Sequence, residues 1–95
     1  MAAYVALVHK DEGTSYGVSF PDVPGCISAG DTMEEALANA AVALAGHLRS
    51  MRADRDPLPQ ARGLAAIQAD PALADDLIGA IMETVTPADL VTSAK

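Results

Sequence analysis

Four carboxylates lie close together in this 95-residue chain, at Asp22, Asp31, Glu34 and Glu35. Gathered in space, they could hold a magnesium ion, as in a nuclease that uses metal to polarise phosphate. Glu34 and Glu35, however, fall where a helix is expected to begin, and a helix N-terminus favours negative charge without any metal. A structural role, or an acidic surface for protein contacts, is therefore the preferred interpretation. A metal-dependent ribonuclease is the less favoured alternative, and we predict no bound metal or cofactor.

Two patterns could supply a nucleophile. Residues 13–17, GTSYG, have the form of the G-x-S-x-G elbow, which requires a strand before it, a helix after it and a large sheet around it. Here the segment is expected to open a hairpin strand instead. Cys26 could act with His9 or His47 as its base, but a half-buried thiol and a structural imidazole are the commoner outcomes. We predict no catalytic residue and no enzymatic activity.

Composition narrows the range of partners. The chain has 13 acidic against 6 basic residues, a formal charge of -7, which disfavours unassisted binding to a phosphate backbone and suits a basic partner.

Its single cysteine excludes an internal disulfide. No basic n-region is present, and no apolar run approaches the about 20 residues that span a membrane. We expect a cytoplasmic protein that does not enter membranes.

Three strands are predicted before the first helix. The segments AAYVALVHK and YGVSF show strand-like alternation, and the polar loop DEGTS joins them as a hairpin. In PDVPGC, Pro24 and Gly25 suit the two central positions of a type II turn. Pro21 ends the second strand because it has no N–H to donate. A short third strand, CISA, would complete an antiparallel meander.

A long helix follows the third strand. Its start carries two possible N-caps, because Asp31 precedes Glu34 by three positions and Thr32 precedes Glu35 by three. The prolines of RDPLP end it. Its apolar positions fall on one face, and the outward or off-face positions are Glu35, Asn39, Val42, Gly46 and Arg49.

The last third of the chain is less regular. QARGLAAIQAD predicts a short helix that is broken at Pro71. The segment from Leu77 to Val85 suits either a helix or a strand, since its apolar spacing is helical and its ends are β-branched.

The run YGVSFPDVPGCISAGDTMEEALANAAVAL resembles the signature of the HicB antitoxin family. In that family an aromatic-x-V-x-F-P-D-x-P-G-C segment precedes a helix start of the form G-D-T/S-x-E-E-A-x-x-N-A. The matching positions here are Tyr16, Val18, Phe20, Pro21, Asp22, Pro24, Gly25, Cys26, Gly30, Asp31, Glu34, Glu35, Ala36, Asn39 and Ala40. The resemblance is specific over residues 3–50 and looser to about residue 86.

This resemblance implies an α+β fold of order β-β-β-α-β, similar to an incomplete ribonuclease-H-like domain. It has a three-stranded antiparallel meander, one long helix, a short second helix and a fourth strand. The fourth strand favours the strand interpretation of Leu77 to Val85. Family members neutralise HicA, a small basic toxin that degrades messenger RNA, by covering its active site.

The expected organisation is one HicB-like domain over residues 1–86. Residues 87–95 would be a flexible tail or the start of a missing C-terminal module, so we predict no DNA binding by the chain as given. Sheet edges and an exposed helix face favour a homo-oligomer, a dimer or a tetramer. A stand-alone regulatory or ligand-binding domain remains the main alternative to an antitoxin. The residues predicted to contact a toxin are Asp22, Asp31, Glu34, Glu35, Asn39 and Val42.

Overall fold

The computed structural model describes residues 3–10, 13 and 15–88. In chain order the elements are β1 (Tyr4–Lys10), β2 (Tyr16–Ser19), β3 (Ile27–Gly30), α1 (Met33–Ala53), α2 (Leu64–Ala69), a 3-10 turn (Pro71–Leu73), α3 (Ala74–Leu77) and β4 (Ile81–Val85). The four strands form one antiparallel sheet in the order β3-β2-β1-β4. The predicted α+β class and the β-β-β-α-β order are confirmed.

Strand β1 lies at the centre of the core and is buried on both faces. Tyr4, Ala6 and Val8 face the cluster beneath α1, while Val5 and Leu7 face a second cluster with Ile67 of α2. Alternate side chains of a strand point to opposite faces, so each face of β1 needs its own cover. The fold therefore has three layers: α1, the sheet, and the segment from α2 to α3.

Helix α1 covers the first face with small and branched side chains. Ala40, Leu44 and Leu48 are buried in the larger cluster, as the helical periodicity predicted, and Ala36 is buried beside them. Its closest packing is against β3, so the helix lies over the β3 side of the sheet.

The second face is covered only in part. Leu73, Leu77 and Met82 pack with the buried side chains of β1 and α2. By register, Leu7, Ser19 and Ile27 share this face, and the side chain of Ile27 is 72% exposed. Among the residues that the structure describes, none covers the half of this face at Ile27.

The segment between β2 and β3 contains two consecutive turns. The N–H of Val23 donates to the carbonyl of Phe20, and the N–H of Cys26 donates to the carbonyl of Val23, both at 3.1 Å. Gly25 has φ +89°, which confirms the turn predicted for Pro24 and Gly25.

The strand prediction for Leu77 to Val85 was right at one end and wrong at the other. Leu77 closes α3, Gly79 has φ +73°, and the strand begins at Ile81. A left-handed residue breaks both helix and strand, so the chain reverses there before joining β1. The short helix before Pro71 is confirmed as α2, whereas the 3-10 turn and α3 were not predicted.

The chain remains packed on the domain just after β4. Pro87 is buried, and the N–H of Ala88 donates to the carbonyl of Ala41 at 3.2 Å. The remainder of the predicted tail, residues 89–95, lies outside the described residues. Within the described residues, no helix has both the length and the apolar character needed to cross a membrane.

Candidate partner-binding surface

The start of α1 is held by a pair of side-chain hydrogen bonds. Thr32 is the N-cap, and its Oγ1 accepts a hydrogen bond from the N–H of Glu35 at 3.0 Å. The Glu35 carboxylate accepts from the N–H of Asp31 at 2.8 Å. The structure thus selects Thr32 over Asp31 as the cap, and part of the Glu35 carboxylate is committed to the fold.

Gly30 sets how closely β3 approaches this helix start. A Cβ at Gly30 would lie 2.4 Å from the backbone nitrogen of Ala36, closer than real Cβ contacts. Only glycine fits between the strand and the first turn of the helix. Asp31 and Thr32 therefore sit at a tight corner.

Asn39 connects α1 to the sheet. Its Nδ2 donates to the carbonyl of Ala29 in β3 at 2.9 Å. This side chain was predicted to contact a partner, and the structure shows that its amide already serves the joint between helix and strand.

Asp22 is held by an arginine from a distant part of the chain. Its Oδ2 accepts from the backbone N–H of Arg62 at 2.8 Å, and its Oδ1 accepts from the Nε of Arg62 at 2.6 Å. The Asp22 side chain is only 7% exposed. Its carboxylate thus anchors the loop after α1 to the turn after β2.

Asp70 completes this ion cluster. The Nη1 of Arg62 donates to Asp70 Oδ2 at 2.9 Å. That hydrogen bond, with a second from the N–H of Ala72, holds the pKa of Asp70 below its ordinary value. The hydrogen bonds that Arg62 donates to Asp70 and Asp22 in turn raise the pKa of Arg62. Sequence reasoning missed Arg62, because no local pattern pairs it with an aspartate forty positions earlier.

The two nucleophile candidates both take part in structural contacts, Cys26 in the buried cluster beneath α1 and Ser15 with Asp31. Cys26 is 3% exposed, and burial raises the pKa of its thiol, which disfavours the reactive thiolate. In GTSYG the chain continues into strand β2 rather than a helix. Ser15 Oγ donates to Asp31 Oδ1 at 3.4 Å.

The four carboxylates first considered as metal ligands do not converge. Asp22 is bound to Arg62, whereas Asp31, Glu34 and Glu35 lie around the helix start. Across residues 3–10, 13 and 15–88, no group of three His, Cys, Asp or Glu side chains could hold a metal ion. The alternative of a ribonuclease that places magnesium on these four residues is therefore not supported.

The start of α1 is an exposed acidic feature, formed by Asp31, Glu34 and Glu35. Val42 is 65% exposed and lies seven positions after Glu35, so both face outward on the same side of α1. The acidic helix start and Val42 form a continuous surface with an apolar element beside negative charge.

A second surface feature is a shallow depression of about 290 Å³ against β2 and β3. His9, Gly17, Ser19 and Ile27 contribute to its lining. The Nε2 of His9 lies 2.9 Å from the carbonyl of Asp76, so this nitrogen is the donor and the ring is anchored to α3.

Comparison with protein families matches residues 4–95 to the HicB-like antitoxins of bacterial toxin-antitoxin systems. This chain belongs to the HicB-like antitoxin family. The resemblance drawn from the signature is thereby confirmed. Among the signature residues of this HicB-like chain, Gly30, Glu35 and Asn39 build the joint between β3 and α1.

Relatives of known sequence share part of the chain. A 14.9 kDa protein of Haemophilus phage HP1 is 53% identical over 45 residues, which is 47% of this chain and 34% of the phage protein. A protein of Thermoplasma acidophilum is 33% identical over 57 residues, 60% of this chain and 83% of its own. This HicB-like chain therefore spans about a third of the phage relative.

Solved structures of antitoxins share the fold. The antitoxin HicB of Burkholderia pseudomallei aligns with a TM-score of 0.77 and 30% identity, over 90% of this chain and 63% of that one. A chain of the HicA3 and HicB3 toxin-antitoxin complex aligns with a TM-score of 0.70 and 28% identity, over 88% of this chain and 95% of that one.

Proposed function

We propose that this HicB-like chain is the antitoxin of a type II toxin-antitoxin pair. Its target is a small basic HicA-type ribonuclease that degrades messenger RNA, and it neutralises this enzyme by covering the active site. The observation that carries the proposal is the alignment with a chain of the HicA3 and HicB3 complex over 88% of this sequence. The chain acts by binding in the cytoplasm, and its function requires no catalysis.

Charge supports the choice of partner. A chain of net charge -7 attracts a basic protein over several ångströms, which speeds encounter, while buried apolar contacts hold the complex. The acidic helix start, together with Asn39 and Val42, supplies both kinds of contact. Asp22 contributes through the turn that it holds in place, because its carboxylate is occupied by Arg62.

The test is inhibition of a small basic toxin encoded beside this chain. Co-purification of the two proteins and suppression of messenger RNA cleavage by the added antitoxin are the expected results. Failure to bind and inhibit such a neighbour would contradict the proposal.

The contact surface is tested by placing lysine at one acidic and one apolar position. Glu34→Lys and Val42→Lys should each weaken toxin binding by about 10-fold or more, since each alters an exposed position of the proposed surface. Asp56→Lys is the matched control, because it makes the same charge change beyond the other end of α1, about 30 Å away. Equal losses for Glu34→Lys and Asp56→Lys would indicate a general charge effect rather than this surface.

A regulatory or ligand-binding domain is the second candidate, favoured by the depression against β2 and β3. Binding of a small molecule there should shift the amide resonances of Gly17, Ser19 and Ile27. A chain that inhibits its toxin without such a ligand would remove the need for this second function.

The domain predicted for residues 1–86, which Pro87 and Ala88 extend by packing on its surface, assembles as a dimer or tetramer.

A further inference from the structure

The two edges of the sheet differ in how they are protected. At the β3 edge, α1 packs closely, and the Asn39 amide occupies the carbonyl of Ala29. At the other edge, β4 pairs with β1 on one side and with no other strand in the described part of the chain. An edge strand offers unpaired N–H and C=O groups to another strand.

The free groups of β4 follow from the alternation of antiparallel pairing. The carbonyl of Ala29 accepts a hydrogen bond from Asn39, so the backbone N–H and C=O groups of Ala29 point away from β2. Along an antiparallel strand, residues whose backbone groups point to one neighbouring strand alternate with residues whose groups point to the other. Carried through β2 and β1, this alternation directs Ile81, Glu83 and Val85 towards β1. The N–H and C=O groups of Met82 and Thr84 are then the ones that point outward.

Strand β4 lacks the usual devices that block an edge. Its sequence IMETV holds no proline or lysine, and Glu83 is its single charge. Ile81 is 48% exposed and Ile78, just before the strand, is 75% exposed. Unpaired backbone groups and exposed apolar side chains therefore coincide at this edge.

We propose that β4 pairs with β4 of a second copy of this chain, so that two sheets join into one of eight antiparallel strands. A strand is complementary to its own copy when a two-fold axis relates an antiparallel pair, and such isologous contacts are the commonest route to dimers. This assembly goes beyond the proposed toxin binding and leaves the acidic helix start, next to the other edge, free.

The register is set by Glu83. A two-fold axis at Glu83 would place two carboxylates directly opposite each other, which is destabilising. An axis at Met82 instead places Glu83 opposite Ile81 of the partner copy, so that the two Ile81 and the two Glu83 side chains are each diagonal neighbours and not directly opposed. It also sets Thr84 opposite Ala80, whose N–H donates to the carbonyl of Leu77, so the Thr84 N–H would donate to the carbonyl of Ala80. An axis at Thr84 would pair Met82 with Thr86, next to the segment that turns to α1 through Ala88.

Sedimentation of the purified chain from about 1 µM to about 1 mM is the experiment, because a pairing of one short strand is a small interface of modest affinity. The mass should rise from monomer to dimer over this range. Thr84→Pro should keep the protein monomeric, since it removes an outward N–H without touching the pairing with β1. A monomer at every concentration, or an unchanged dimer in a folded Thr84→Pro variant, would overturn the proposal.

A pair of matched variants covers the case in which proline disturbs folding. Ile81→Glu and Ile27→Glu each place a carboxylate on an exposed isoleucine, one at each edge of the sheet. Ile81→Glu sets a second carboxylate opposite Glu83 and should lower the dimer affinity by about 10-fold or more, equivalent to about 1.4 kcal/mol, whereas Ile27→Glu should leave it unchanged. Loss of the dimer in Ile27→Glu alone would assign the contact to β3 and contradict the proposal.

Hydrogen exchange distinguishes a second copy from a strand of another protein. The amides of Met82 and Thr84 should become protected as the concentration of this chain rises. Protection that appears only on addition of the toxin would assign the β4 edge to that partner and overturn the self-pairing. Both outcomes are independent of whether the toxin is inhibited.

Discussion

Gly30 shows what a single signature residue does for this fold. An added Cβ would meet backbone rather than a flexible side chain, so Gly30→Ala must push β3 and α1 apart. We expect a loss of about 2 to 3 kcal/mol in the free energy of unfolding, measured with urea.

Gly46 is the control for this effect. It lies within α1, and an added Cβ meets nothing within 4 Å. Gly46→Ala should stabilise the protein by about 0.5 to 1 kcal/mol, because alanine favours the helix. Similar destabilisation by the two substitutions would show that space beside Gly30 is not the cause.

Asp70 gives the molecule an acid-sensitive contact. Its pKa is lowered in the folded chain by Arg62, so its ionised form stabilises the fold above the pKa of the unfolded chain, and this contribution is lost as the pH falls through the lower folded value. Asp70→Asn should therefore lose less stability than the natural chain between neutral pH and about pH 3. Urea unfolding across this range measures the difference.

Asp75→Asn serves as the comparison for that experiment. Asp75 is exposed, and the described residues include no ion pair to it. Asp75→Asn makes the same chemical change as Asp70→Asn and leaves both contacts of Arg62 in place. An unaltered pH profile in Asp70→Asn would rule out the ion cluster as a source of acid sensitivity.

At the scale of elements, the N-cap decides where α1 begins. Thr32→Ala removes the acceptor of the Glu35 N–H and should cost about 1 kcal/mol of unfolding free energy. Thr32→Ser keeps a hydroxyl and should lie within a few tenths of the natural value. Equal losses in alanine and serine variants, as followed by circular dichroism during urea unfolding, would contradict the assignment of the cap.

The two edge strands of the sheet, β3 and β4, have different roles. Strand β3 is joined to α1 by the Asn39 side chain and lies beside the acidic helix start. Strand β4 has no comparable cover in the described residues, and its outward backbone groups suit another strand. The β3 edge therefore supports the proposed toxin surface, and the β4 edge supports the proposed dimer.

For the whole molecule, net charge makes two associations respond to salt in opposite directions. Binding of a basic toxin to a chain of charge -7 should slow with added salt, with the association rate falling about 10-fold or more from low to high ionic strength. Dimerisation brings together two chains that each carry a net charge of -7, so added salt should strengthen the dimer. Stopped-flow binding and sedimentation at matched salt concentrations measure the two effects.

A toxin association rate that is insensitive to salt would contradict the electrostatic part of the proposed function. A dimer that weakens with added salt would contradict the expectation that repulsion between two like-charged chains opposes pairing at β4. The two results are separate, because one reports on the acidic helix start and the other on the sheet edge.

Much of the fold was predictable because it depends on local rules. The turn at Pro24 and Gly25, the start and apolar face of α1, and the first three strands all follow from residues close in sequence. The fourth strand was ambiguous, since a short apolar segment beside Gly79 satisfies two periodicities until it has a neighbour to pair with.

The structure divides the predicted contact residues into exposed ones and ones that already bond within the fold. Glu34 and Val42 are exposed, whereas Asp22 is held by Arg62, and Asn39 donates to β3. Exposure and hydrogen bonding depend on residues far along the chain, and periodicity carries no information about them.

The sequence by itself determined the family, the turn chemistry and the helix start, because each rests on side chains acting on backbone within a few positions. Only the tertiary structure decided that Arg62 reaches Asp22, that Asn39 bonds to β3, and that β4 has no second partner strand in the described part of the chain. Those contacts join residues that are brought together by burial of β1 between two layers, and a pattern of neighbours in sequence does not specify them.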